Sequence, residues 1–504
     1  MAETAGSAVI LGVLAAYLVI LLGIGIWSAG ASRDVKGYFV AGKKLPAWVI
    51  AFSSNATGES GWLLLGLTGM GYLMGFHALW ITLGEVLGVA VAWIWVARPF
   101  KEYTDRYDAI TVPDYLESRL HDRRHILRII GVVIILSMVT AYTAAQLTAS
   151  GKAFSSFLGT SYTTGVVIGA VIVLLYTSIG GFKAVAYSDL VQGILMFGCL
   201  FTLPIVGLIA VGGWSGMTAA LAAADPALLT PMGSFGLTPV GIASAAGFVG
   251  IGLAFLGSPQ LLTRFMSARG QGEIVKGSPI AVVCIIVFDL GAVLSGIAGR
   301  IIFPGLADRE TVLPEMSSAL FPDFFTGIFL VVVLAAIMST ADSLLILASS
   351  ALTRDVVQKI FHPHISERGL SILGKLTTLG IGAGALFFAL AEVRMIFWFV
   401  LFAWSGLACA FTPIVLCTLF WKRTTLQGAV AGMVGGFATA VIWILGIKES
   451  FYDLYEMIPG FLVSFVLCIG VSLFTRPPAG AAEEFDAVHR AVGPVLSRRP
   501  SGRR

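Results

Sequence analysis

A chain of 504 residues that is 57% hydrophobic and 12% charged is not a water-soluble protein of ordinary make-up. Soluble domains carry about 25% charged residues, and an aqueous core stops growing near roughly 250–300 residues. The bilayer must solvate most of this surface, so the net charge of +4 matters less than where the charges lie.

A span needs roughly 20 apolar residues. Such runs fall near 8–29, 46–75, 79–97, 127–150, 162–180, 187–212, 238–263, 279–303, 324–350, 371–391, 396–420, 427–446 and 457–475. All are read as helices, because an open sheet in lipid leaves backbone groups unpaired, and the two-residue alternation of a membrane barrel is absent. The first run is too long for a signal-peptide core and follows Glu3 rather than a basic stretch, so it reads as a retained span.

The second span carries a polar interruption, SSNATGESGW (53–62), with Glu59 inside it. The third holds Glu85. The sixth begins at Asp189 in GGFKAVAYSD, near the inner surface, where a solvated helix entrance and a functional carboxylate are both consistent. Residues 213–236 contain Gly and Pro but no basic residue, and read as an outer connection. The seventh span contains GFVGIGLAFLGSP (247–259), Gly-rich and closed by proline, and the eighth holds Asp289. The ninth reads LAAIMSTADSLLILASSALT (334–353), which places Ser339, Thr340, Asp342 and Ser343 within about one helical turn. The tail from Arg476 is rich in Pro, Gly, Ala and Arg and reads as mobile chain with one short helix near 483–492.

The basic residues test this count. With the N-terminus outside and the C-terminus inside, 27 of the 32 Lys and Arg fall on the inner side, and Lys152, Arg300, Arg309, Arg394 and Lys448 fall outside. The positive-inside rule predicts such an asymmetry, and a missed span would scramble it.

Interrupted segments at corresponding places in two halves mark unwound helices around a midplane site. Spans two and seven are five apart, as a five-plus-five repeat of opposite orientation requires. Hydroxyls and backbone carbonyls are hard ligands suited to an alkali cation; the plainer alternative is that Ser and Thr bond back to their own helix. An intramembrane acid costs roughly 2.5–3.5 kcal/mol unless paired or protonated. Glu59 stands out because it lies in the interruption, where a cation or a proton would offset its charge; Glu85 and Asp289 are read as protonated or paired with polar neighbours. The five cysteines (Cys199, Cys284, Cys409, Cys417, Cys468) lie in apolar runs without CxxC spacing, so no disulfide framework or zinc site is expected. The six histidines form no metal or nucleophile arrangement, and there is no P-loop. Enzyme chemistry and direct ATP drive are therefore not expected, and no repeated filter sequence suggests a channel.

The runs SGWLLLGLTG (60–69), TVPDYLESR (111–119), YTSIGGFKAV (176–185), LAAIMST (334–340), RTTLQGAVAG (423–432) and LYEMIPGF (454–461) carry a further signal. Through them the chain resembles the sodium:solute symporter family, and within it the bacterial sodium/proline symporters, over roughly residues 10–475. The resemblance implies an all-α membrane fold of about 13 transmembrane helices with a five-plus-five inverted-repeat core, like that of the amino acid–polyamine–organocation transporters. It makes 1–475 one transporter domain, with core repeats near 46–212 and 238–420, and 476–504 a tail. It also implies a sodium site formed by carbonyls of Ala56, Glu59 and Ala336 and hydroxyls of Ser339 and Thr340. The implied solute site has Ser60, Gly61, Tyr142, Ile251, Phe255 and Pro259, with Asp189 and Asp342 as coupling candidates. The chain departs from the proline symporters where their aspartate is Gly58, with Glu59 beside it, and where their pocket tryptophan and tyrosine are Ile251 and Phe255. Arg264 is kept.

The resulting expectation is sodium-coupled import of a small organic solute, proline or a related amino acid or carboxylate, across the cell membrane by alternating access. Two alternatives stand beside it: a proton-coupled transporter using Glu59, and a transporter-like solute sensor. The implied partners are the solute and membrane lipids, with no nucleic acid and no obligatory protein partner.

Overall fold

The computed structural model describes residues 2–29, 34–391 and 396–493. Arg33, Arg394 and the last residues of the tail, used above to judge orientation, lie outside them. Among the described residues everything regular is helical, apart from a single bridge between Leu45 and Ala268.

In the first half, α1 (Ala2–Ala29) leads to α2 (Ala47–Gly61), whose backbone leaves helical geometry at Ser60, with φ 55° and ψ −172°. The chain resumes through a wide turn, Trp62–Leu67, into α3 (Thr68–Met74), and bends at Gly75 (φ 57°) into α4 (Leu79–Val91). The short α5 (Val112–Leu120) begins at Thr111, whose side chain accepts the Asp114 N–H, with Pro113 in its first turn; this is how an N-cap should look. Next come α6 (Ile126–Leu158) and α7 (Tyr162–Ala210), the latter broken at Gly181 (φ 61°, ψ −170°). Sequence spans five and six are thus two helices joined at one glycine.

The second half begins with α8 (Pro239–Gly250), capped by Thr238. A tighter helical segment, Ile251–Leu256, follows, and after Gly257 and Ser258 the chain restarts at Pro259 as α9 (Pro259–Ser267). Both interruptions expected from the sequence are present. Then come α10 (Gln271–Ile302), α11 (Asp323–Ser350), α12 (Glu367–Ala389), α13 (Ile396–Phe420), α14 (Leu426–Ile442), α15 (Met457–Phe474) and α16 (Ala481–Val492).

Eleven helical stretches among the described residues are long and apolar enough to cross a membrane; one, Ala47–Arg106, runs 60 residues, and Tyr162–Leu175 is a shorter apolar helix. The most enclosed are those containing α11 and α13. α11 is the central mast, packed against α1, α2, α6, α7 and α12. Large apolar side chains such as Ile26, Ile209, Phe387 and Leu445 stay exposed at the periphery, as expected when lipid rather than water is outside. Small residues set the closest approach: a Cβ on Gly252 would collide with the Gly84 carbonyl, so α4 lies directly on the Ile251–Leu256 segment. The short tail helix is seated, with Ala481, Val488 and Val492 buried, the Arg98 guanidinium donating to the Val492 carbonyl and Arg119 3.6 Å from Glu484.

Candidate functional site

Breaking α2 at Ser60 frees its last carbonyls from their intrahelical partners. A serine at φ 55°, ψ −172° occupies a region that costs of order 1–3 kcal/mol and persists only where surroundings enforce it. Here the Trp62 N–H donates back to Ser60 Oγ (3.1 Å) and the Gly61 N–H donates to Gln146 Oε1 (3.0 Å). Across from the break, the unbroken α11 presents its hydroxyls. Ser339 Oγ lies 2.8 Å from the Ala56 carbonyl and 3.1 Å from that of Ala336, and Thr340 Oγ1 lies 2.9 Å from the Thr57 carbonyl. Ala56, Ala336 and Ser339 therefore converge as expected, and Thr340 joins them through Thr57. Glu59 behaves differently: its carbonyl accepts the Trp62 N–H, and its carboxylate turns elsewhere.

Beside these oxygens is a buried ionic centre. Arg264, on α9, lies 3.1 Å from Asp189 Oδ2. It also donates to Thr57 Oγ1 (2.6 Å), Ser53 Oγ (3.1 Å), the Gln260 carbonyl (2.7 Å) and Ser343 Oγ. Ser53 Oγ donates to Asp189 Oδ2 at 2.6 Å. One guanidinium thus links α2, α7, α9 and α11. Asp189 is fully buried, so the solvated-entrance reading of this residue is corrected: Arg264, far away in sequence, supplies its countercharge. Asp342 is also buried and accepts from Ser343 Oγ (3.2 Å).

Three of the expected solute-site residues, Tyr142, Ile251 and Phe255, gather around a side chain that the sequence reading missed, Trp404 on α13. Its ring meets Tyr142 edge-on at 6.3 Å and Phe255 at 5.3 Å, and its N–H donates to the Ile251 carbonyl (3.2 Å). Ile251 also lines a cavity of about 320 Å³ with Phe248, Ser244, Trp398 and Tyr455. A Cβ on Gly58 would sit 2.8 Å from the Phe255 ring. The space beside Gly58 is therefore filled by the Phe255 ring, which links two of the positions singled out in the sequence through one packing contact. Pro259 opens α9, and around it Ser258 Oγ and both amide atoms of Gln260 are buried without a hydrogen-bond partner, as are Thr412 Oγ1 and Gln146 Nε2. Buried polar atoms are normally satisfied, so this concentration of unpartnered atoms beside the two breaks sets the region apart from the rest of the core. An orphan amide has no signature in a single sequence, although Gln146 and Gln260, polar residues within apolar runs, were visible.

Glu59, Glu85 and Asp289 come together: one oxygen of each lies within 4.8 Å of the others. The polar neighbours of Glu85 and Asp289 are thus other acids, brought in by α2, α4 and α10. At that distance and an effective dielectric of 20, each ionised pair repels by about 3.5 kcal/mol.

With this geometry in place, comparisons with known proteins are informative. The model of the sodium:solute symporter family matches residues 38–436. The chain is 36% identical over 469 residues to the high-affinity proline transporter PutP of Bacillus subtilis, covering 92% of this chain and 98% of the relative. It is 35% identical over 485 residues to a sodium/proline symporter of Staphylococcus aureus, with 93% of each covered. Its fold is similar to that of a Na+-coupled sialic acid symporter solved in a substrate-bound outward-open state (TM-score 0.78, 18% identity, covering 93% of this chain and 98% of the other). It is more distantly similar to MhsT in complex with L-phenylalanine (TM-score 0.53, 16% identity, covering 84% and 98%).

Proposed function

The chain belongs to the sodium:solute symporter family, and on that premise we propose that its solute is proline or a closely related amino acid or small carboxylate, carried by alternating access. The protein is a sodium-coupled symporter of the cell membrane, not an enzyme, and the proton-coupled alternative through Glu59 is not favoured. Proline is suggested by the Bacillus and Staphylococcus relatives. The replacement of tryptophan and tyrosine by Ile251 and Phe255 removes two donors from that pocket, which argues for a preference shifted toward a more apolar or differently shaped amino acid.

In this reading Na+ is held by the carbonyls of Ala56, Glu59 and Ala336 and the hydroxyls of Ser339 and Thr340. The solute lies beside Ser60, Gly61, Tyr142, Ile251, Phe255 and Pro259, with Trp404, Gln146 and Ser258 added to the set. The observation that carries it is the placement of Ser339 Oγ between the Ala56 and Ala336 carbonyls at a break in α2. An ion there joins α2 to α11 and holds the broken segment in the form that binds solute; the coupling is reciprocal. Asp189, Arg264 and Ser343 tie the same helices together and are the natural gate. The topology we favour has 13 passes, N-terminus outside, with inverted repeats near 46–212 and 238–420. The 60-residue stretch Ala47–Arg106 would be about 90 Å long if straight, three times the hydrocarbon core, so it must cross twice.

Uptake of radiolabelled proline into proteoliposomes, driven by a sodium gradient and compared with choline, tests this. Accumulation should require Na+, and Ser339→Ala with Thr340→Ala should raise the half-saturating sodium concentration by roughly 10-fold or more, since bonds to a charge are worth about 1.5–3 kcal/mol. Sodium-driven uptake of another amino acid but not proline would reassign the solute. Full sodium affinity in the double variant would remove the proposed ion site.

A further inference from the structure

The acids of the membrane core do not all have countercharges. Asp189 has Arg264. Glu59, Glu85 and Asp289, each at most 2% exposed, have only each other. Among the described residues, both oxygens of Glu59, both of Asp289 and Oε2 of Glu85 find no hydrogen-bond partner outside the three acids, and Thr82 Oγ1, one turn before Glu85 on α4, is likewise buried and unpartnered. Among the described residues no Lys, Arg or His forms a salt bridge with the three; the enclosed arginines Arg128 and Arg264 are committed elsewhere.

Three mutually repelling carboxylates need a cation. A proton bridges two oxygens, whereas three convergent oxygens with a hydroxyl nearby are the donor set of a hard metal ion. We propose that Glu59, Glu85 and Asp289 form a second cation site, separate from the oxygens of Ala56, Ser339 and Thr340, and that its occupant is Na+. Its ligands come from α2 just before the break at Ser60, from α4 where Gly84 lies against the Ile251–Leu256 segment, and from α10. An ion there would hold the two interrupted segments to α10, and would couple two sodium ions to each solute.

The test is equilibrium binding of radioactive sodium to the full-length purified protein in choline buffer. About two ions per chain are expected, falling to about one in Glu85→Gln/Asp289→Asn and to about one in Ser339→Ala/Thr340→Ala, with every variant eluting as a monodisperse peak. The wild-type count needs no variant, so a count of about one overturns the second site even if an acid variant fails to fold. So does an undiminished count in the acid variant. Loss of one sodium to equimolar calcium overturns sodium as the occupant. An undiminished count in the Ser339/Thr340 variant overturns the reading of the first site and leaves the second standing.

Discussion

Two buried polar centres lie on either side of one short stretch of α2. Thr57 belongs to the first, where Arg264 holds Asp189 with the help of Ser53 and Ser343. Glu59, two residues further on, belongs to the second, with Glu85 and Asp289. The first carries its own countercharge on a side chain of α9, so its charge balance is met within the protein. The second has none among the described residues, which is why a cation from solution is proposed there.

The strongest way to break this contrast is to make the first centre resemble the second. Arg264→Ala leaves Asp189 buried without a partner and should cost about 3–5 kcal/mol, seen as a lower melting temperature in detergent; adding Asp189→Asn should recover much of it. A wild-type melting temperature for Arg264→Ala alone would show that the pair is not a clamp. The converse change relieves the second centre. Asp289→Asn in sodium-free buffer should raise stability by about 1–3 kcal/mol, because like-charge repulsion falls, and should shrink the rise in melting temperature produced by sodium. An unaltered sodium response would contradict the role given to that acid.

Placing a carboxylate between the centres probes the packing that separates them. Gly58→Asp meets the Phe255 ring at 2.8 Å and should cost about 1–3 kcal/mol by overpacking, with Phe255→Ala in the same chain relieving the loss. If Gly58→Asp alone is neutral in a melting assay, the ring is free to move aside.

The smallest effect concerns a third centre, at α5. Burial alone would raise the carboxyls of Asp114 and Glu117, but the Arg128 guanidinium, 2.6 Å from each, holds both below the usual carboxylate range. Carboxylates depressed in the folded state stabilise it above their unfolded values near pH 4 and lose that contribution as pH falls through the folded values. Stability should therefore fall below about pH 4, by on the order of 1 kcal/mol, read as a lower melting temperature, and Arg128→Gln should flatten the slope. A slope unchanged by that substitution would mean other acids set it.

Much of the architecture was legible because its causes are local. A run of apolar residues in lipid has to be helical, wherever it packs, and polar residues at 53–62 or a Gly-rich stretch closed by Pro259 interrupt it on the spot. The Ser339 and Thr340 hydroxyls were visible for the same reason, since one helical turn brings them together. Trp404 was not singled out: nothing in the stretch around it distinguishes a pocket wall from an ordinary buried aromatic. Asp189 was ambiguous because its partner lies on a different helix, and Glu85 and Asp289 looked unremarkable because each was judged alone.

By itself the sequence determined a helical membrane protein, two interrupted spans, hydroxyls on a central helix and a family relationship. Only the tertiary structure decided that Phe255 occupies the space beside Gly58, that Arg264 neutralises Asp189, and that three acids from separate helices share one enclosed space. The reason is physical: helix formation and interruption follow from neighbouring residues and the solvent, whereas the energy of a buried charge depends on what lies within a few ångströms in space, and chain order does not specify that.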